Sequence, residues 1–183
     1  MNKKRAFVTP EFSRLYAPED LKEGVSQVQL VANDTERAAL AKRFGLLDLG
    51  HLSANVTLTK EPGSVQPIRM AAQIQGNVVQ ECVVSLAPIA LAINEQFSCA
   101  FAPSDAQQPV ELEIDIEPDG EDPPEPIING CFDAGELIAE HFGLHLDPFP
   151  RAEGAEFDPS TISSDEEEAT NNPFSVLKKL HER

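Results

Sequence analysis

Leu52-Ser53-Ala54-Asn55-Val56-Thr57-Leu58-Thr59 alternates apolar and polar residues without a break, and the pattern returns from Ile68 through Met70, Ala72 and Ile74, with Arg69, Gln73 and Gln75 between them. A period of two places successive side chains on opposite faces of an extended chain, so both runs predict half-buried strands. Glu61-Pro62-Gly63-Ser64 separates them and reads as a hairpin loop, which makes the pair antiparallel.

The same reading extends in both directions. Val78 to Leu86 is apolar on both faces and suits a central strand; Pro88 breaks it, and Ile89 to Phe101 resumes. Val110, Leu112, Ile114 and Ile116 alternate with Glu111, Glu113, Asp115 and Glu117, giving one apolar face and one row of carboxylates. Val25 to Val31 is a weaker strand. Asn33, with Glu36 three residues on, forms a capping box that opens a helix whose apolar face is Leu40, Phe44 and Leu47, with Gly45 as C-terminal cap. Asp133 opens a second helix, with Glu136 at the reciprocal position, a core stripe of Leu137, Ile138 and Phe142, and Gly143 at its end. The expected fold class is α+β: a mainly antiparallel sheet, barrel-like or partly closed, with two short packing helices.

Composition divides the chain. Residues 1–151 read as a single globular α+β domain, within which the Pro-rich acidic stretch 118–126 is an exposed loop, because proline cannot complete strand or helix hydrogen bonding. Residues 152–171 hold Asp165-Glu166-Glu167-Glu168 and too few apolar side chains to offset ordering entropy, so they read as a disordered acidic linker. Residues 172–183 predict a short amphipathic helix: Asn172 suits the cap, Pro173 the first turn, and Phe174, Leu177 and Leu180 share a face. Such a helix either docks on its own domain or fills a partner's groove.

Charge narrows the function. Against 31 acidic residues stand 14 basic ones, a formal net charge of -17 on 183 residues. Ten of those 14 lie between Lys3 and Arg69, and none follows until Arg151. The body repels nucleic acid on average and attracts cationic partners. Direct RNA contact then requires a local basic zone, for which Arg37, Lys42 and Arg43 are the candidates. No run approaches the roughly 18 apolar residues of a membrane helix, and Pro10, Glu11, Arg14, Glu19 and Asp20 interrupt the start as no signal peptide would be interrupted. A cytoplasmic protein without a membrane partner is expected.

Catalytic patterns are weak. Cys82, Cys99 and Cys131 are too scattered for a disulfide framework; Cys82 and Cys99 lie in apolar runs where a buried thiol is packing. His141 and His145 have the i, i+4 spacing of paired ligands, with Glu136 and Glu140 nearby, but Gly143 stands between them and a solvated helix end is the simpler reading. No phosphate-binding glycine loop and no nucleophile elbow occurs. The expectation is no catalytic, cofactor or metal site and no small-molecule substrate.

In order along the chain, Pro10-Glu11-Phe12-Ser13-Arg14, Glu36-Arg37-Ala38-Ala39-Leu40-Ala41, Gln80-Glu81-Cys82-Val83-Val84-Ser85-Leu86, Asp119-Gly120 with Asp122-Pro123-Pro124-Glu125-Pro126, Glu136-Leu137-Ile138 with Glu140, Leu146-Asp147-Pro148-Phe149-Pro150-Arg151, and Asn172-Pro173-Phe174 with Leu177 and Leu180 form a pattern. It resembles the bacterial YceD family, the large ribosomal RNA subunit accumulation proteins, in the form found in alphaproteobacteria. Many family members carry C-x-x-C at the central motif; here the second position is Ser85, which argues against a metal there. The resemblance implies a non-catalytic role in accumulation or processing of large-subunit ribosomal RNA and ribosome biogenesis. Combined with the charge, it points to an acidic adaptor for a basic ribosomal protein or assembly factor, touching ribosomal RNA directly or indirectly. Phe174, Leu177 and Leu180, with the carboxylates Glu111, Glu113 and Asp115, are the expected partner-binding residues. Direct RNA binding through Arg37, Lys42 and Arg43 is the alternative.

Overall fold

A computed structural model of the chain describes residues 10–61, 63, 68–103 and 123–157. The expected strand around Val110 to Ile116, most of the acidic linker and the helix over 172–183 lie outside the described residues. So do the partner-binding candidates Glu111, Glu113, Asp115, Phe174, Leu177 and Leu180.

In chain order the elements are β1 (Leu15–Tyr16), β2 (Gly24–Val31), α1 (Asp34–Phe44), β3 (Asp48–Lys60), β4 (Ile68–Glu81), β5 (Pro88–Pro103), β6 (Glu125–Ile127), β7 (Phe132–Asp133) and α2 (Ala134–Leu144). The fold is α+β. One sheet runs β2-β3-β4-β5-β6, antiparallel from β2 to β5, with β6 parallel to the end of β5; β1 and β7 form a separate antiparallel pair. The hairpin expected around residues 61–64 joins β3 to β4, with Lys60 opposite Ile68.

The alternation read from the sequence is the burial pattern of the sheet. Ile68, Met70, Ala72, Ile74 and Val78 of β4 are buried, as are Leu52, Ala54, Val56 and Leu58 of β3, while Arg69, Gln73 and Gln75 point the other way. This inner face carries the core and receives Leu137, Ile138 and Phe142 of α2. The expected closure of the sheet does not occur: among the described residues it is open, with β2 and β6 as its edges. A helix covers the apolar face, so the strands need not curl round on themselves to bury it.

Two boundaries differ from expectation. Val78 to Leu86 is not one strand. β4 ends at Glu81, and residues 82–86 turn back, with the Cys82 amide donating to Ala87 O (2.8 Å) and the Leu86 amide to Cys82 O (2.9 Å). Leu86 takes the left-handed conformation (φ 59°), and Val83 and Leu86 are exposed, so their apolarity reports surface and not a doubly buried strand. Gly143 does not end α2, which continues to Leu144; a Cβ at Gly143 would stand 2.6 Å from Phe44 Cε1, so this glycine lets the two helices approach.

Helix α1 is capped as expected. Asn33 accepts from the Glu36 amide, Glu36 accepts from the Asn33 amide, and Gly45 closes the helix in the left-handed region (φ 66°). At α2 the box is half-formed. Asp133 accepts from the Gly135 and Glu136 amides, but the Glu136 side chain turns away to Arg43. Asp133 Oδ1 also accepts the Arg14 amide at 2.7 Å, and Ala134 N donates to Arg14 O. The segment around fully buried Phe12 is thereby stitched to the helix start.

Gly135 is part of that seam. A Cβ there would lie 2.6 Å from Phe12 O and 2.8 Å from Arg14 N, both backbone atoms that cannot swing aside. Gly135→Ala is predicted to lower unfolding stability by roughly 1–3 kcal/mol, the range for overpacking a fitted interior. Chemical denaturation measures it, and an unchanged midpoint would mean that the Phe12 segment is not seated on α2.

Candidate functional site

Several cations of the N-terminal part are held by local partners. Arg14 makes a paired contact with Glu36, Nη1–Oε1 2.7 Å and Nη2–Oε2 3.0 Å, and its guanidinium also donates to Ser13 O and Val31 O. The Glu36 carboxyl is held below the usual range chiefly by the Arg14 hydrogen bond, and the Arg14 guanidinium is raised by the same contact. Arg37 donates to Leu49 O, Ala32 O and Asp34 Oδ1 (3.1, 2.9 and 2.8 Å). Arg43 bridges Glu11 and Glu136 at 3.0 and 2.9 Å, tying α1 to α2. Lys60 donates to Pro18 O and Leu21 O. Of the three RNA-binding candidates, Lys42 alone makes no ion pair among the described residues, and it is exposed. The structure places Arg37, Lys42 and Arg43 on one helix but pairs two of the three, Arg37 and Arg43, with carboxylates of the same chain.

The turn after β4 is more unusual. Cys82 is fully buried, and its Sγ accepts the Ala152 amide at 3.3 Å and the Ser85 amide at 3.4 Å. Donors aimed at sulfur favour the thiolate. The Ala152 amide first, then Ser85 through side chain and amide, bring the Cys82 thiol down to about 6. Ser85 thus stands in the second position of the motif as a donor to the first. Burial pushes Cys99 the other way, up to about 12, with Glu125 adding to it. Around Cys82, Val83 N donates to Pro150 O (2.9 Å) and Gln80 Nε2 to Asp147 O (2.9 Å), so residues 147–152 form a strap across the end of β4.

On α2, His141 stacks on Phe97 with ring centroids 3.7 Å apart, and burial first, then neighbouring His145, lower its proton affinity. His145 Nδ1 lies 2.7 Å from His141 O; a carbonyl only accepts, so Nδ1 carries the proton. His145 Nε2 faces Glu95 at 3.5 Å. The two histidines therefore face separate partners, and Glu136 belongs to Arg43. Among the described residues no three or more His, Cys, Asp or Glu side chains converge on a point where a metal could sit.

What sequence reasoning missed is the surface at the Cys82 end of the sheet. Leu144 and Phe149 are 77% and 71% exposed, and Leu47, Val83 and Leu86 are exposed as well. Leu47 N donates to Val79 O, which sets that leucine at the same end, next to a groove of about 430 Å³ lined by Lys42, Leu46, Leu47 and Asp48. Exposed large apolar side chains gathered at one end of a molecule mark a contact surface more often than isolated ones do. The signal lay in the apolar residues of a turn-forming stretch before Pro88, which strand periodicity absorbed. Among the described residues no helix is long and apolar enough to cross a membrane.

The lowered Cys82 thiol makes a pH prediction. Between about pH 6 and 9 the folded state holds fewer protons at this sulfur than the unfolded chain, whose thiol has its ordinary value of 9. Stability should therefore rise with pH across that window, and this contribution is gone below about pH 6. Urea unfolding of native protein and Cys82→Ala across the window measures it: the variant should lose that slope, and equal slopes would contradict a thiolate.

No curated protein and no solved structure matches the chain. A family model does: residues 70–181, more than half of the sequence, match the model described as large ribosomal RNA subunit accumulation protein YceD. That span runs from β4 through the Cys82 turn, the strap and α2. With the central motif, the capped helix and its exit in place across it, the chain belongs to the YceD family.

Proposed function

We propose that this protein is a non-catalytic, cytoplasmic factor in large-subunit ribosomal RNA accumulation, acting as an acidic adaptor for a basic ribosomal protein or assembly factor. The family supports the ribosomal role. The adaptor reading is carried by one observation: Arg14, Arg37 and Arg43 are committed to Glu11, Asp34, Glu36, Glu136 and backbone carbonyls, in a chain of formal charge -17. Phosphate neutralisation needs several free cations, each releasing a counterion. Direct RNA contact through Arg37, Lys42 and Arg43 draws correspondingly less support.

A protein partner fits the remaining surface. Leu86, Leu144 and Phe149 supply apolar anchors, and the surrounding carboxylates speed the encounter with a cationic partner and select it. Glu111, Glu113 and Asp115, and the Phe174, Leu177 and Leu180 stripe, add to such a contact on this reading.

The test is affinity capture of the tagged full chain from its host at moderate salt, with and without RNase, beside a Leu86→Asn/Phe149→Ser variant. Asparagine suits the left-handed turn at position 86, so the variant keeps the backbone. Basic ribosomal proteins or assembly factors should survive RNase and fall roughly tenfold or more with the variant, the loss expected when a contact's anchors are cut away. Neutral or acidic proteins, or ribosomal components released entirely by RNase, would overturn the reading.

A further inference from the structure

The sheet has a second face, turned away from α2. On it Gln29 of β2 lies beside Asn55 of β3, Asn55 beside Gln73 of β4, and Gln73 beside Gln96 of β5; Gln75 and Asn94 form the next cross-strand pair. All six amides are exposed. Among the described residues no carboxylate stands on this face between Arg69 at one end of β4 and the end where Asp48 of β3 and Glu81 of β4 are exposed. In a chain of formal charge -17 this is an unusual area.

We propose that this face is the contact surface of a homodimer, packed sheet against sheet with a two-fold axis lying in the interface across the strands. Three features commit it to a second copy. Two bodies this acidic repel one another, and a face without carboxylates is where they can meet at least electrostatic cost. Primary amides each donate and accept, so a field of them is complementary to itself, as an isologous interface requires. The charges at its ends are also opposed. With the axis across the strands, Arg69 of each copy comes to the Asp48 and Glu81 end of the other, and Gln75, midway between positions 69 and 81, lies beside its own copy. A cationic partner gains nothing from an uncharged field, and RNA would find neither a row of cations nor an aromatic platform there.

The dimensions suit a weak, reversible dimer. β3, β4 and β5 have 13, 14 and 16 residues and β2 has 8, so strands about 4.8 Å apart offer a patch roughly 15 Å across and at most about 40 Å long. Aligned packing of two such twisted sheets, about 30° apart, brings most of it into contact. That is about 600 Å² or less per partner, below the roughly 800 Å² of a standard interface and in the range of weak, reversible contacts. The Asp48 and Glu81 end of this face adjoins the apolar end around Leu86.

Sedimentation velocity of the full chain over a wide concentration range tests it. The native chain should show a reversible monomer–dimer equilibrium. Gln75→Glu, which sets two carboxylates together on the axis without adding bulk, should weaken it by roughly tenfold or more, as should Arg69→Glu. Arg69→Glu combined with Glu81→Arg should recover most of the affinity, which a folding defect would not. A native chain that stays monomeric would overturn the proposal. So would a dimer indifferent to Gln75→Glu, a double reversal no better than the single one, or a face whose Gln75→Glu change instead abolishes RNA binding.

Discussion

Arg14 sits where three parts of the fold meet. Its guanidinium holds Glu36, which at the same time closes the capping box of α1. Its amide reaches Asp133, the cap of α2, and Phe12 two residues earlier is buried in the core. Both side chains of the Arg14–Glu36 pair are largely shielded (30% and 16% exposed), and the contact is two-pronged. It should therefore exceed the roughly 0–1 kcal/mol of an exposed ion pair. Arg43 repeats the device one turn from the end of α1, joining Glu11 of the same N-terminal segment to Glu136 of α2. The helices, and the face of the sheet that α2 covers, are thus positioned by cations. Those cations are the ones a reading for nucleic acid would most want to be free.

Much of this was legible in the sequence, for identifiable reasons. Period-two alternation in β3 and β4 survives because one face is wet and the other buried, so local pattern and tertiary environment agree. The caps Asn33, Gly45 and Asp133 act within a few residues and need no knowledge of the fold. What failed depended on distance. Nothing local says that Glu136 will turn from its own helix cap to an arginine 93 residues earlier, or that Gly143 serves a contact with Phe44 and not a helix end. The run Val78 to Leu86 misled because exposed and buried valines look alike, and Cys82 reads as packing until two amides are found pointing at its sulfur.

The site inherits its character from these features. The strap over residues 147–152 is held to the end of β4 by the Cys82 sulfur, by Val83 and by Gln80. That turn and strap carry Leu86 and Phe149 into solvent together. Apolar anchors are thus fixed on a hydrogen-bonded base and not on loose chain, which lowers the ordering cost of binding.

The most direct test of this account is a salt titration of purified full-length protein against a large-subunit ribosomal RNA fragment. The native chain and an Arg37→Gln/Lys42→Gln/Arg43→Gln variant would be compared, with thermal unfolding recorded alongside. The account predicts that the native chain binds RNA too weakly to measure at physiological salt, and that the substitutions cost stability while leaving RNA binding as it was. Tight binding with a steep salt dependence, lost in the variant at unchanged stability, would contradict it and return those three residues to the phosphate backbone.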